Sequence, residues 1–576
     1  MAETLISPGV LARENDQSFL SAAPAPIGAA IVGPTLLGKV GIPKIVTTYS
    51  EYLNFYGASF LSGSDVYTHL TALSAYHYFQ NGGTSLLVTR VASGSFTPAT
   101  STNMSGSTTP VNNILTLEAL TDGTIMNNSG STDASGSLND SGSAYNIRWE
   151  IASPSTSSGT FSLLIRRGDD NTANPIILET WTNLSLDPNQ SNYIEKVIGN
   201  QTFNVRTDSS TNSLYLQPTG SYPVKSKYVR VKAVNKKTPN FFNNAGAPTA
   251  AYTGSIPRAQ SGAFENATGD NIPTWTANYY DTMAGSNIQG ISPNDYTQSF
   301  NVLANKDDYK YNVITAPGLM LGETGHSSPL NLLINNTQNR GDAIAVVDLV
   351  KYNSTLIAAT QQAANLNTSY AAAYWPWVQI TDPNTGNYVW VPASTMIPSV
   401  YAYNDLVSAP WFAPAGLNRG GLGQVVMAER KLTSSDRDAL YTAKVNPIAT
   451  FPATGVVVFG QKTLQTKASA LDRVNVRRLL IALKNTISNI SNTLVFEQNT
   501  LATRNTFLAQ VNPYLESVQQ RQGLYAYKVI MDESNNTADV VDRNQLVGAI
   551  YLQPTRTAEF IILDFNILPT GATFPS

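Results

Sequence analysis

NGGTSLLVTRV, residues Asn81–Val91, reads as the end of one helix and the whole of one buried strand. Gly82 closes the predicted helix SDVYTHLTALSAYHYFQNGG, because glycine enters the left-handed conformation at a helix C-terminus at little cost. TSLLVTRV then runs almost unbroken in apolar residues, the pattern of a buried strand. AAIVG, residues 29–33, is a second short strand of this kind. Residues 27 to about 93 are therefore mixed α/β.

The same pattern returns much later. NVITAPGLM is a strand, SPLNLLINNTQNRGD a helix, AIAVVDLV a strand and TLIAATQQAANL a helix. Between the two halves the character changes. SGSTTP, NNSGSTDASGSLNDSGS and SPSTSSG are low-complexity stretches around short alternating segments such as NIRWEI, FSLLIRR and SLYLQP. The expectation is a multidomain α/β and α+β chain. Residues 23–95 plus 241–369 form a discontinuous mixed α/β middle domain, and 96–240 an inserted β-rich domain. Residues 370–556 form an α+β C-terminal domain, with extended arms at 1–22 and 557–576.

The chain has 576 residues, too many for one ordinary core. Only 13% are charged, against about 25% in a typical soluble domain. Ser, Thr, Asn, Gln and Gly take their place, a surface that repels its own copies weakly. The net charge of −3 gives no global case for nucleic acid or an acidic membrane. There is no cysteine, so disulfides and cysteine-ligated zinc are excluded. MAETLISPGV does not read as a signal peptide, and no apolar run reaches the roughly 18 residues of a membrane span. No cofactor is implied.

WFAPAGLNRGGLGQVV, Trp411–Val426, raises the question of a phosphate loop. The Walker pattern needs Lys and then Ser or Thr after its glycines, and the dinucleotide fingerprint needs fixed glycine spacing behind a strand. Neither is met, since Arg419 precedes the glycines and Pro414 stands where the strand should finish. The reading is a tight structural loop of Asn418, Arg419, Gly420 and Gly421, with Asn418 and Arg419 holding its backbone. His69 and His77 lie eight apart in one predicted helix with no interposed Glu, a poor metal pair. His326 lies in turn-rich GETGHSSP, with no G-x-S-x-G elbow to support a Ser-His-Asp arrangement. Asp532 and Glu533 are adjacent in a predicted loop and read as solvated surface. No catalytic or metal-binding set emerges.

The longest predicted helix begins near Ser469. Val476, Leu480, Leu483, Ile487, Ile490 and Leu494 make its apolar stripe. Arg473, Arg477 and Lys484, four and seven apart, fall in one sector of it, with Asp472 pointing elsewhere. At the end of the chain, Ile561, Leu563, Phe565 and Ile567 of EFIILDFNIL face one way, so this strand must dock somewhere. TLISPGVLARE, which holds Ile6 and Val10, is extended-type sequence with nothing local to pair with.

WFAPAGLNRG, FGQKTL, SALDRVNVRRLLI, the FE of LVFEQNT and the LQPTRTAEFIILDF ending together resemble the tail sheath family of contractile bacteriophage tails and phage-tail-like injection devices. SPGV and NGGTSLLVTRV are similar to that family's N-terminal part. The resemblance covers roughly residues 1–95 and 300–576 and is weak or absent over 96–240. It implies a structural polymer and no enzyme: hexameric rings stacked around an inner tail tube, assembled extended and metastable, then contracting to drive the tube through a cell envelope. It implies further copies of the chain, the inner tube protein, and baseplate and tail terminator proteins as partners, with no nucleic acid and no membrane insertion. The protein would be assembled in the host bacterial cytoplasm and reside in the virion tail. The C-terminal domain would face the tube, through Arg473, Arg477 and Lys484. Ile6, Val10 and the 561–567 strand would join subunits by adding strands to neighbouring sheets. The competing readings are a non-contractile virion ring component, a carbohydrate-binding adhesin suggested by the Ser/Thr-rich insertion, and a hydrolase using His326.

Overall fold

All five residues of β1 (Ala29–Gly33) are buried. Alternate side chains enter different cores, Ala29 and Ile31 one and Ala30 and Val32 the other, as expected of a strand covered on both faces. The computed structural model describes residues 28–107, 113–128, 142–171, 174–275, 279–285 and 287–559. In it β1 belongs to an eight-stranded sheet. The other strands are β2 (Lys44–Val46), β3 (Leu86–Arg90), β4 (Val313–Met320), β5 (Ile344–Asp348), β6 (Ala371–Trp375), β7 (Asn446–Phe451) and β8 (Gly455–Val458). Their spatial order is β2-β3-β1-β4-β5-β6-β7-β8. The run from β3 to β7 is parallel, and β2 and β8 pair antiparallel at its two edges.

Helices cover both faces. On one side lies α1 (Leu70–Gln80), whose Leu73 joins Ile31, Val88 and Val346. On the other lies α2 (Ser327–Arg340), whose Leu330 and Leu333 join Val32, Ile314 and Val347. Gly341 ends α2 at φ 73°, where a side chain would be strained, and donates its N–H to Thr337 O. A third helix, α3 (Ala393–Val407), packs beside α1 through Met396, Ile397 and Tyr401.

The β-rich unit is two four-stranded sheets around one core. Ile147–Ser155, Thr160–Arg167, Ile177–Ser185 and Gln260–Gly262 form one; Pro98–Ser101, Leu115–Asp122, Val229–Val234 and Phe264–Glu265 form the other. Trp149, Phe161 and Leu163 from the first meet Leu117, Val231 and Phe264 from the second. The C-terminal unit pairs α4 (Val474–Asn492) with α5 (Leu501–Gln520). A hairpin of β9 (Leu524–Ile530) and β10 (Ala549–Pro554) lies against them, over a core of Leu479, Leu483, Phe507, Val511 and Leu515.

Mixed α/β architecture with several sheets is as expected, but three details differ. The predicted helix around His69 is split: Asp65–Thr68 is a strand paired with Ser59–Ser62, and α1 starts at Leu70 with His69 as its N-cap. The β-rich unit does not end at residue 240, because Gln260–Gly262 and Phe264–Glu265 complete its two sheets. Nor does the central sheet stop at residue 369, since β6, β7 and β8 extend it to Val458. In the last two cases a long-range pairing decides the boundary, and local composition does not record it; in the first, a local hairpin takes the residues that the helical pattern claimed.

Candidate functional site

The last described residues of the chain are fixed by a cluster at the head of α4. Arg473 is the N-cap residue there, with extended backbone. Its Nε donates to Glu559 Oε1 at 2.7 Å and its Nη2 to Glu559 Oε2 at 2.9 Å. This is the two-pronged arrangement in which a planar guanidinium matches a carboxylate. Tyr441 Oη also donates to Glu559 Oε2, and Gln461 Nε2 donates to Oε1 at 3.1 Å and to Thr557 Oγ1 at 2.6 Å. Burial pushes the Glu559 carboxyl up, but the hydrogen bonds and charge of Arg473, with those of Tyr441 and Gln461, outweigh it and hold the group below its usual range. The Asp472 carboxylate is 2.9 Å from Arg473 Nη1, so it shares this face rather than pointing away from it. Beyond Glu559 the chain continues toward Ile561, Leu563, Phe565 and Ile567. These four, with Ile6 and Val10, lie outside the described residues.

The hairpin beside this cluster is a second feature. β9 and β10 pair only with each other among the described residues, which leaves an unpaired edge on either side. Alternation after a bulge places Tyr527 and Val529 of β9 with Ile550 and Leu552 of β10 on the helical core. Tyr525 and Tyr551 face out, 68% and 61% exposed. An open strand edge is a template for another strand.

The basic row expected on α4 is not an exposed stripe. Arg477 is buried, with its guanidinium 4.0 Å over the Tyr370 ring and Nη2 bonded to Ser369 Oγ. Arg478, which the sequence reading passed over, is buried too, 4.5 Å over Tyr401 and 2.6 Å from Asp405. Arg473 lies 5.7 Å from the Tyr441 ring centroid. Three arginines thus seat the head of α4 on three tyrosines of the main body. Of the predicted row only Lys484 stands exposed. Arg473 precedes the helix with extended backbone, and the packing partners of the arginines are far away in sequence.

The glycine-rich loop is structural. Gly416–Arg419 is one helical turn. Arg419 Nε donates to Ala413 O at 3.2 Å, and its guanidinium lies 5.1 Å over Phe412. Asn418 is exposed and has no side-chain hydrogen bond among the described residues, so Arg419 alone of the pair braces the backbone. Gly420 and Gly421 run along β8: Val458 N donates to Gly420 O at 2.8 Å, and Gly421 bridges Val457. A Cβ on Gly420 would stand 2.7 Å from both Ala415 Cα and Val458 O. The glycine is needed there for backbone to approach backbone.

His326 is buried with both ring nitrogens engaged. Nδ1 accepts from Met320 N at 3.1 Å, and Nε2 meets Gly285 O at 2.8 Å. Burial pushes it toward the neutral form, and no nitrogen is left to take a proton from a serine. His77 Nδ1 meets Gln424 at 2.6 Å, whereas His69 packs against Phe60 and Trp275. Asp532 accepts from Ser534 within its own turn. Among the described residues no cluster of His, Asp and Glu could hold a metal, and no helix is long and apolar enough to cross a membrane.

Residues 289–464 match the phage tail sheath protein central domain, and residues 466–568 the phage tail sheath C-terminal domain. The tail sheath protein of Vibrio phage KVP40 is 36% identical over 250 residues, 43% of this chain and 37% of that protein. That of Enterobacteria phage T4 is 35% identical over 234 residues, 40% of this chain and 35% of the relative. The matched region spans little more than a third of either relative's length. A solved sheath tail protein from Listeria innocua shares the fold, with a TM-score of 0.51 at 11% identity, over 92% of this chain and 95% of that one.

Proposed function

From a chain that carries the central and C-terminal domains of phage tail sheath proteins, we propose a structural sheath subunit that polymerises as stacked hexameric rings around an inner tube. It contracts from a metastable extended state and drives the tube through a host envelope. The observation that carries this reading is the open β9–β10 hairpin beside a firmly anchored C-terminal segment. The segment after Glu559, with Ile561, Leu563, Phe565 and Ile567, adds a strand to the hairpin of a neighbouring copy. The N-terminal segment with Ile6 and Val10 does the same on another neighbour. Each ladder hydrogen bond contributes about 0.5–1.5 kcal/mol net, and each large apolar side chain buried about 1.5–3 kcal/mol. Such arms keep a lattice connected while the rigid bodies slide past one another.

The low charge of the chain supports the same reading, since it weakens repulsion between copies. The inner tube protein is the partner of the C-terminal unit, with Lys484 the basic residue of α4 free to meet it. Baseplate and tail terminator proteins cap the polymer. The protein is assembled in the host bacterial cytoplasm and resides in the virion tail. The inserted β-rich unit lies at the outside, and no catalytic role is assigned to any residue.

The test is electron microscopy of the purified chain together with two truncations. The full chain should form long tubes. Removal of residues 1–20, or of 557–576, should leave a soluble monomer of near-wild-type melting temperature that forms none. A large fall in melting temperature for the C-terminal truncation would place that strand inside its own subunit. Glycan binding by the isolated insertion, with no tubes from the full chain, would favour an adhesin.

A further inference from the structure

Asp122 ends the strand Leu115–Asp122 of the β-rich unit and is buried. Three of its polar groups reach the central body. Its carboxylate Oδ2 accepts from Val40 N at 3.0 Å, and its N–H donates to Gly38 O at 3.2 Å. Its carbonyl accepts from Arg90 Nη1 at 3.0 Å, and the same nitrogen holds Gly38 O at 2.6 Å. The neighbouring Thr121 Oγ1 accepts from Gly38 N at 3.2 Å. Asn271, on the segment that returns from the β-rich unit, donates to Leu36 O at 3.0 Å and to Asp122 O at 2.9 Å, and accepts from Ile125 N at 3.2 Å.

Around this knot the contact between the two units is thin. Gly38 and Thr121 border a cleft of about 560 Å³, and Arg90 and Asn271 border a crevice of about 300 Å³. Within the lining of the larger cleft, Lys39 Nζ reaches across to Thr202 Oγ1 at 2.7 Å. Ile125 and Tyr145 of the β-rich unit rest on the apolar cluster of Leu36, Phe60 and Trp275, and Tyr145 Oη donates to Ser59 O at 3.2 Å. Apolar contact is non-directional and tolerates sliding. The outgoing and returning segments lie side by side, joined by Thr97 N to Thr268 O at 3.1 Å. A paired neck, an apolar bearing surface and open space on both flanks are the parts of a hinge. Polar interfaces between units of one chain are the kind that move, and here the polar resistance is concentrated at Asp122.

We propose that the β-rich unit is hinged to the central body and that the bonds converging on Asp122 are its latch. With the latch closed the two units move as one. With it open the β-rich unit swings about the neck at Thr97 and Thr268 while both units stay folded, since each has its own core. The latch opens as a whole because its bonds share groups. Asp122 O serves Arg90 and Asn271 together, and Gly38 is held through both its N–H and its carbonyl. Hydrogen bonds of this length fail once the partners part by about 1 Å, so one small displacement breaks them all. The inference does not rest on the polymer reading.

Residue-resolved hydrogen exchange of the full chain tests it. The amides of Gly38, Val40 and Ile125 are held by the side chains of Thr121, Asp122 and Asn271. In the wild type they should exchange through one opening, with equal protection, and faster than Ile31 in β1 or Leu163 in the β-rich unit. Asn271→Ala touches neither Gly38 N nor Val40 N. It should speed both by roughly tenfold, through loss of the bonds that Asn271 donates. Thr121→Val should speed Val40 and Ile125 severalfold, although it bonds to neither. Ile31 and Leu163 should keep their rates in both variants. Unequal protection of the three latch amides in the wild type overturns the proposal without any variant. So do wild-type rates at Gly38 and Val40 in Asn271→Ala, which would mean that the bonds break separately. Acceleration of Ile31 and Leu163 along with the latch amides would mean that the units unfold together and no hinge exists.

Discussion

Glu559→Gln tests whether the head of α4 is the anchor of the C-terminal segment. The wild-type carboxylate receives two hydrogen bonds from Arg473, at 2.7 and 2.9 Å, and one each from Tyr441 and Gln461. An amide keeps one acceptor oxygen and turns an NH2 toward one donor or another. At least one charge-assisted bond is lost, worth about 1.5–3 kcal/mol. The lower end is the better figure, because the Arg473 and Glu559 side chains are 25% and 18% exposed and water screens them in part. Release of the segment should then rise by roughly tenfold or somewhat more. Arg556 lies three residues before the anchor and is exposed. Limited trypsin cleavage after it, followed by mass spectrometry, therefore reads the released population while opening and closing outpace cleavage. The global melting temperature should not move, since the core of Leu479, Phe507 and Val511 is untouched. Acid should act in the same direction. The Glu559 carboxyl is held below its usual range, so its contribution is complete above the ordinary glutamate pKa of about 4.3 and fades as pH falls through the lowered value. A cleavage rate for the variant indistinguishable from wild type at neutral pH would refute the anchor.

The glycine loop offers a paired comparison. Gly420→Ala should destabilise by about 1–3 kcal/mol through forced backbone displacement, whereas Gly421→Ala and Gly423→Ala meet nothing within 4 Å and should leave the thermal midpoint unchanged. Excision of residues 98–267, with a short turn closing the Thr97–Thr268 bridge, should leave a folded body that still forms tubes. If that body folds and does not polymerise, the β-rich unit is part of the lattice.

Where a segment is buried whatever its neighbours, or carries its own stop, the sequence was readable. β1 and β3 are buried on both faces, so their apolar runs alone marked them. α2 was framed by its own Gly341. The stripe on α4 from Val476 to Ile490 does face packed side chains, because a helical period reports one burial direction. The central sheet beyond residue 369 was not legible. β6 reaches β7 across about seventy residues of other elements, and nothing in YAAAYW states which sheet it joins.

The arginines of α4 show what kind of information is missing. Periodicity put Arg473, Arg477 and Lys484 on one side of a helix, and a charged row on one side reads as solvent-facing or partner-facing. What decides each fate is a residue elsewhere. Tyr370 covers Arg477 from the start of β6, Asp405 and Tyr401 hold Arg478 from α3, and Glu559 reaches Arg473 from 86 positions later in the chain. A buried arginine needs such partners, because leaving its charge alone in a dry interior is costly. These partners also assign the row a different role from the expected one. The contacts of Arg477 and Arg478 lock α4 to the central sheet and α3, so the helix moves with the body. The contact of Arg473 with Glu559 fixes the last described residue of the chain to that body. If the segment beyond it crosses to a neighbouring copy, tension on that segment passes through Arg473 into the head of α4 and so into the sheet. A strand exchanged between copies needs such a rigid root, since an arm that peels back from its own subunit carries no load between two moving ones.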